Sequence, residues 1–294
     1  MSQPPRHRSM TSRLASLAQR LGLGGADAHN VAQRSRMLSL PFKAIETCAS
    51  GIGWQSGTPL HRLIDLPRGA LSGPVQEDKA RIHAVLKRLV GSHSEEQPSL
   101  DLRTLDGLCQ RALQDSPLAT LEELAQSDNG RKVRIISYND FTRVLGQALP
   151  GFERKATLQL RRASWHGDRL FWDDDNHAYE MASAVVYARR RGLEITLPAI
   201  IQCFELRTAV LDELDNGFHM LAMPAQAWSD PAFMGLLLDT GMPYARFGLF
   251  NTETPESLLL PKDHPQSDTF GQGLREAGAP DVIDYLRRTG KVGR

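Results

Sequence analysis

The densest collection of reactive side chains runs Trp172-Asp173-Asp174-Asp175-Asn176-His177-Ala178-Tyr179-Glu180. Four carboxylates and an imidazole lie within eight residues, Asp173 to Glu180. Carboxylate oxygens are hard ligands, so Asp173 and Asp175 are candidates to hold a divalent metal. His177 and Glu180 stand three residues apart, which puts them on one side of a helix as a candidate catalytic acid–base pair. His219, in the apolar run Phe218-His219-Met220-Leu221, would complete such a site from a neighbouring strand. The plainer reading of the acids is structural: Asp or Asn at a helix start caps exposed amides, and acids there suit the helix dipole. A lone histidine in an apolar run likewise reads first as a satisfied core residue.

The other signals are thinner. Cys48, Cys109 and Cys203 are far apart with no CxxC spacing, so neither a disulfide framework nor a zinc module is expected, and a buried thiol is the ordinary reading of Cys203. Gly51-Ile52-Gly53-Trp54-Gln55-Ser56-Gly57 lacks the Lys-Ser/Thr ending of a phosphate loop. Gly271-Gln272-Gly273 misses the dinucleotide spacing. Neither a GxSxG elbow nor an HExxH helix occurs. Arg161 and Arg162, with Trp165 and Trp172 on an adjoining hairpin, offer a basic aromatic strip for a nucleic acid strand, against the simpler alternative of cross-strand ring packing.

The acidic stretch needs a strand before it and a helix after it, and the pattern supplies both. Ala156 to Trp165 and Arg169 to Trp172 flank His166-Gly167-Asp168 as a β-hairpin. A helix over 176–191 carries Ala178, Met181, Ala182, Val185 and Ala188 as its apolar stripe and stops at Gly192. His219 sits on a strand, Phe218 to Met223, entered through Asn216-Gly217. Further along, Ser229-Asp230-Pro231 caps a helix running to Gly241. Strands are expected near 133–136, 194–206, 243–249 and 257–260, with Pro198 marking an edge or a break. Helices are expected over 140–149, near 208–215 and on both sides of Gly278-Ala279-Pro280.

Upstream, 38–126 reads as mostly helical. Ile82, Val85, Leu86 and Leu89 have helical spacing, Leu102, Leu105, Leu108 and Leu113 predict a second helix, and Thr120 with Glu123 predicts a capped third. Gly91 to Pro98 reads as a loop and Ser127 to Gly130 as a turn. The expected organisation is therefore α+β: a basic arm over 1–37, a mainly helical region over 38–128, and a mixed β-sheet flanked by helices over 129–294.

The arm carries six arginines, Arg6, Arg8, Arg13, Arg20, Arg34 and Arg36, against one acid, Asp27. It reads first as a mobile tail, with Leu14, Leu17 and Leu21 on one short helix. Arg13, Arg20, Arg34 and Arg36 are its candidate nucleic-acid contacts, through salt-sensitive attraction. Over the whole chain, 35 basic residues nearly cancel 34 acidic ones, so no global field draws the molecule to a polyanion. No apolar run is long enough to span a membrane and no secretory h-region opens the chain, so a reducing, cytoplasmic location is expected.

WQSGTPLHRLIDLP from Trp54 to Pro67, YARRRG from Tyr187 to Gly192, WSDPAFMGLLL from Trp228 to Leu238 and GLREAGAPDV from Gly273 to Val282 carry a resemblance. In these segments the chain resembles an uncharacterised bacterial family of unknown function. The resemblance implies a bacterial cytoplasm and brings no catalytic residues.

With no complete catalytic signature, the chain is expected to be a non-catalytic binding or regulatory protein with a macromolecular partner, protein or nucleic acid, and no resident cofactor. The alternative is a metal-dependent hydrolase acting on a phosphoester or nucleotide through the Asp173–Glu180 stretch, the one case that calls for a divalent metal.

Overall fold

A computed structural model of the protein describes residues 25–45, 51–55, 59–110, 113, 117–174, 176–248 and 256–290. Its regular elements, in chain order, are α1 (Gly25–Arg36), α2 (Gln76–Leu89), β1 (Val90–Asp101), β2 (Leu105–Leu108), α3 (Leu121–Gln126), α4 (Tyr138–Ala148), β3 (Leu158–Ala163), β4 (Leu170–Trp172), α5 (Ala178–Arg191), β5 (Thr196–Leu206), α6 (Thr208–Gly217), β6 (Phe218–Met223), α7 (Pro231–Asp239), β7 (Ala245–Phe247), β8 (Glu256–Pro261), α8 (Pro265–Glu276) and α9 (Val282–Thr289). The fold is α+β, as expected. Among the described residues no helix is long and apolar enough to cross a membrane.

The chain divides into two compact units. One takes the described residues up to Ile45 with Asp65–Lys87 and Ala209–Tyr285; the other takes those of Glu46–Ile64, Arg88–Thr208 and Leu286 onward. The boundary expected at residue 128 therefore falls inside the second unit, because β1 pairs residue by residue with β5 about a hundred positions later.

The second unit is built on a five-stranded mixed sheet in the order β1-β5-β3-β4-β2. β5 runs antiparallel to β1 and parallel to β3, and β3 and β4 form the expected hairpin, with Leu160 opposite Trp172. Alternation along β5 turns Leu197, Ala199, Ile201 and Cys203 into a core shared with α3, α4 and α5. The α5 stripe read from sequence is buried there, and Gly192, at φ 64°, closes the helix by donating to the Ala188 and Arg189 carbonyls. Ser137 and Asp140 form a capping box on α4, and the Thr120 hydroxyl accepts from the Glu123 N–H on α3.

Three expectations fail in this unit, each for a physical reason. The segment from Gly91 to Pro98, expected as a loop, is β1. Its Gly, Ser, Glu and Pro content is poor for strands, and the ladder offered by β5 overrides it. Leu102, Leu105 and Leu108 are buried, but on a turn and on β2 instead of a helix. Gly107 explains the choice: an added Cβ would stand 2.6 Å from the Phe171 ring, so the backbone passes in extended form where no side chain fits. Val133 to Ile136 forms no strand, since the Ile136 and Ser137 amides donate to the Asp140 carboxylate that caps α4. Of the two readings of Pro198 the break is the one that holds: it lies on an interior strand, where the β1 register shifts between Gln97 and Leu100.

The first unit holds a three-stranded antiparallel sheet, β6-β8-β7. Leu221, Met223, Leu258 and Leu260 meet Phe270 and Leu274 of α8 and Phe233, Leu236 and Leu237 of α7 in its core. Asp230 caps α7 by accepting from the Phe233 N–H, with Pro231 in the first turn, as read from sequence. α1 packs on α8, burying Val31 and Ser35. The described part of the expected arm is thus a docked helix and not a free tail. The helix expected at Leu14, Leu17 and Leu21 lies outside the described residues.

Candidate functional site

The acidic stretch is dispersed by its surroundings. Asp173 follows β4 and pairs with Arg161 at 2.8 Å, across the hairpin. Asp174 accepts from the Asn176 N–H at 2.7 Å and closes a local turn. Asp175 lies outside the described residues. His177 occupies the N-cap of α5 with φ 56°, and its side chain makes no capping bond. His177 and Glu180 do meet, Nδ1 to Oε2 at 3.8 Å, on the exposed surface.

His219 belongs to the other unit and the other sheet, so the site expected from His177, Glu180 and His219 is split between two folding units. The partner of His219 is Asp268 on α8: Nε2 and Oδ1 are 2.7 Å apart, and Gln272 donates to the second carboxylate oxygen. The ring is 4% exposed and its Nδ1 meets no partner. Burial pulls its pKa below the ordinary value against the opposing pull of Asp268. Gly271 lies flat against the ring, where an added Cβ would be 2.6 Å from Cγ, and the Cβ of Ser35 on α1 would be 2.8 Å from a Cβ at Gly273. The glycine pair that misses the dinucleotide spacing thus serves helix packing.

Arg36 is ion-paired with Glu276, and Arg13 and Arg20 lie outside the described residues, so of the four expected nucleic-acid contacts only Arg34 and Arg36 can be placed. The basic aromatic strip does not form. Arg161 and Arg162 point to opposite faces of β3, as strand alternation requires, and Trp165 and Trp172 are both 2% exposed.

Two constellations went unread in the sequence. On the sheet face away from α3, α4 and α5, Trp54 is the hub of a ring nest, with centroids 5.3 Å from His166, 5.4 Å from Phe171, and 5.6 Å from both His61 and Phe204. Burial, with help from nearby arginines, pulls both histidines down to about 4, so both are neutral at pH 7. The amides of Ile52 and Trp54 are committed to backbone carbonyls: Ile52 N–H donates to Leu118 and Trp54 N–H to Leu108, the opposite of a phosphate cradle.

On the helix side, β-register lines up His93, Cys203 and Arg162 across β1, β5 and β3, with Glu95 two residues along β1. His93 Nε2 is 3.1 Å from Glu95 Oε1, and Arg162 Nη2 is 2.8 Å from both Glu95 oxygens and 3.3 Å from Cys203 Sγ. The His93 hydrogen bond above all, with Arg162 adding to it, holds the Glu95 carboxyl below its usual range, while burial pushes the Cys203 thiol up. A raised, buried thiol is the reverse of an activated nucleophile. Cys109 is also buried, and Cys48 lies outside the described residues. The signal available beforehand was His93-x-Glu95, a spacing that shares a face only once the segment is a strand.

Comparison with known proteins gives one match: a family model described as a family of unknown function covers residues 95–291, from mid-β1 through α9 and more than half of the chain. No curated protein and no solved structure matches the chain. Three of the four segments that carried the resemblance, from Tyr187, Trp228 and Gly273 onward, lie inside the matched span. The chain belongs to the family of unknown function DUF6685.

Proposed function

We propose that this protein is a non-catalytic binding protein that holds a macromolecular partner by pairing an extended segment of it with the free edge of β1. The observation that carries the reading is the position of β1. It is a 12-residue strand at the end of the sheet order, and among the described residues no strand pairs with its outer side. A row of unpaired N–H and C=O groups is a template for strand addition, in which backbone bonds give affinity and side chains on alternate positions give specificity. Pro98 blocks the far end of the strand, so the usable stretch is 91–97, where exposed Glu96 favours a partner segment carrying Lys or Arg. Among the described residues Cys109 and Cys203 form no disulfide, which supports the bacterial cytoplasm implied by the sequence resemblance.

A photo-crosslinking residue at Glu96 is expected to couple to one extended segment of a bound protein, and binding is expected to protect alternate β1 amides from hydrogen exchange. Coupling accompanied by unchanged exchange across β1 would refute strand addition.

A second reading, the metal-dependent hydrolase, rests on His177: a bulky residue held in the left-handed region beside Glu180 stores strain of a kind that clusters at functional sites. His177→Gly relieves about 1–2 kcal/mol of strain and loses about 0.5–1 kcal/mol to chain entropy. The expected result is a protein more stable by about 0.5–1 kcal/mol that has lost any divalent-ion-dependent phosphodiesterase activity. A variant that gains no stability, or keeps such activity, removes the basis for this reading.

A further inference from the structure

We propose that His93, Glu95 and Cys203 form a zinc site at the β1 edge of the five-stranded sheet, with Arg162 occupying the cation position when the metal is absent. His93 and Cys203 are register partners, and Glu95 stands on the same face two residues away, so two paired strand backbones fix the ligand stems. One ligand atom from each, an imidazole nitrogen, a carboxylate oxygen and a sulfur, lie within 4.8 Å of one another. Tetrahedral zinc, with bonds of roughly 2.0–2.3 Å, holds its ligand atoms about 3.3–3.8 Å apart. His93 and Glu95 are already at 3.1 Å, so any closing falls to the sulfur and amounts to at most about 1 Å.

Charge points the same way. Two of the three ligands converge on a guanidinium nitrogen: Arg162 touches both Glu95 oxygens and the Cys203 sulfur from one atom, Nη2, while His93 meets Glu95. That spot is thus selected for positive charge. The Arg162 side chain is 30% exposed, so it has solvent to swing into when an ion arrives. His93 and Glu95, at 46% and 33% side-chain exposure, open the site to solvent at the edge while Cys203 forms its buried floor, so an ion reaches all three without crossing the core. One thiolate with one imidazole selects zinc-like ions over magnesium or calcium, and three protein ligands leave the fourth position to water. The inference is independent of strand addition: a partner that pairs with β1 in a protein that binds no metal leaves that reading standing, and the reverse outcome leaves the zinc site.

The test is titration of the full-length, reduced protein with Co2+. The expected result is the near-ultraviolet thiolate-to-cobalt charge-transfer band with intense visible ligand-field bands of four-coordinate cobalt, all displaced by one equivalent of Zn2+. Cys203→Ala removes the charge-transfer band. His93→Ala, at an exposed position that leaves folding intact, weakens Co2+ binding by about tenfold or more, the loss seen even for outer-sphere partners of a metal site. Arg162→Gln keeps the ligands and removes the competing cation, so it tightens binding. The proposal fails if the folded, reduced protein shows no charge-transfer band, if the band survives Cys203→Ala, or if Arg162→Gln weakens binding.

Discussion

Gly271→Ala is expected to destabilise the three-stranded unit by about 1–3 kcal/mol, the range for forcing extra volume into a tight contact. The reason is local and severe. The new methyl would stand 2.6 Å from Cγ of His219, well inside contact distance, and the ring cannot step aside freely because its Nε2 is held by Asp268 at 2.7 Å. Either the ring rotates and abandons Asp268, leaving a buried imidazole with both nitrogens unpaired, or α8 lifts away from β6 and opens the core around Phe270 and Leu274. Both outcomes lower the urea midpoint, and the first also displaces the His219 ring resonances. His219→Ala in the same chain removes the obstacle, so the double variant is expected to lie at least about 1 kcal/mol above the sum of the single effects. Additive effects, or a Gly271→Ala protein with the parent midpoint, would mean that the ring and the helix do not meet as described.

The same contact shows what could and could not be read in advance. The helices around Ile82, Phe141, Met181 and Phe233 were legible because their apolar spacing, caps and stops agree with one another: the Asp230-Pro231 start and the Gly192 end are local instructions that tertiary packing did not need to overrule. His219 was legible as a residue on a buried strand, but its partner is on a helix 49 positions later, and no local pattern links an imidazole to an Asp at that distance. The Gly271-Gln272-Gly273 pair failed the dinucleotide pattern, yet its packing role depends on His219 and Ser35, which lie elsewhere in the chain.

β1 was the costliest miss. A stretch with Gly91, three serines, two glutamates and Pro98 has little strand propensity of its own, and it is a strand because β5 presents a matching ladder. Reading it as a loop hid the His93–Glu95 face, the pairing that places Cys203 beside it, and the free edge on which the proposed binding mode rests. The acidic stretch failed in the opposite direction. It looked like a centre because its charges are adjacent in sequence, whereas in the fold Asp173 answers Arg161 and Asp174 turns back on Asn176.

Acid is expected to unfold the five-stranded unit through its ring nest. His61 and His166 are drawn from the ordinary 6.5 to about 4, by burial first and then, for His61, by Arg161 and Arg62, and for His166, by Arg169. A depressed folded-state value means that the unfolded chain takes up these protons at higher pH than the native one. The stability they contribute is therefore complete above pH 6.5 and is lost progressively as pH falls from 6.5 to about 4. A displacement of that size is worth about 3 kcal/mol for each histidine, a large fraction of the about 5–15 kcal/mol that holds a typical domain together. The two rings share the nest around Trp54, so protonating one also makes protonating the other harder, and the loss is spread across the window instead of falling in one step. The check is a series of urea melts between pH 7.5 and 4 on the parent protein and on His166→Phe, whose ring keeps the contacts with Trp54 and Phe171 but cannot take up a proton. The parent midpoint should fall steeply below pH 6.5, and the variant should lose about half of that dependence. Parallel curves for the two proteins would assign the acid sensitivity to other groups and return the nest to an ordinary hydrophobic cluster.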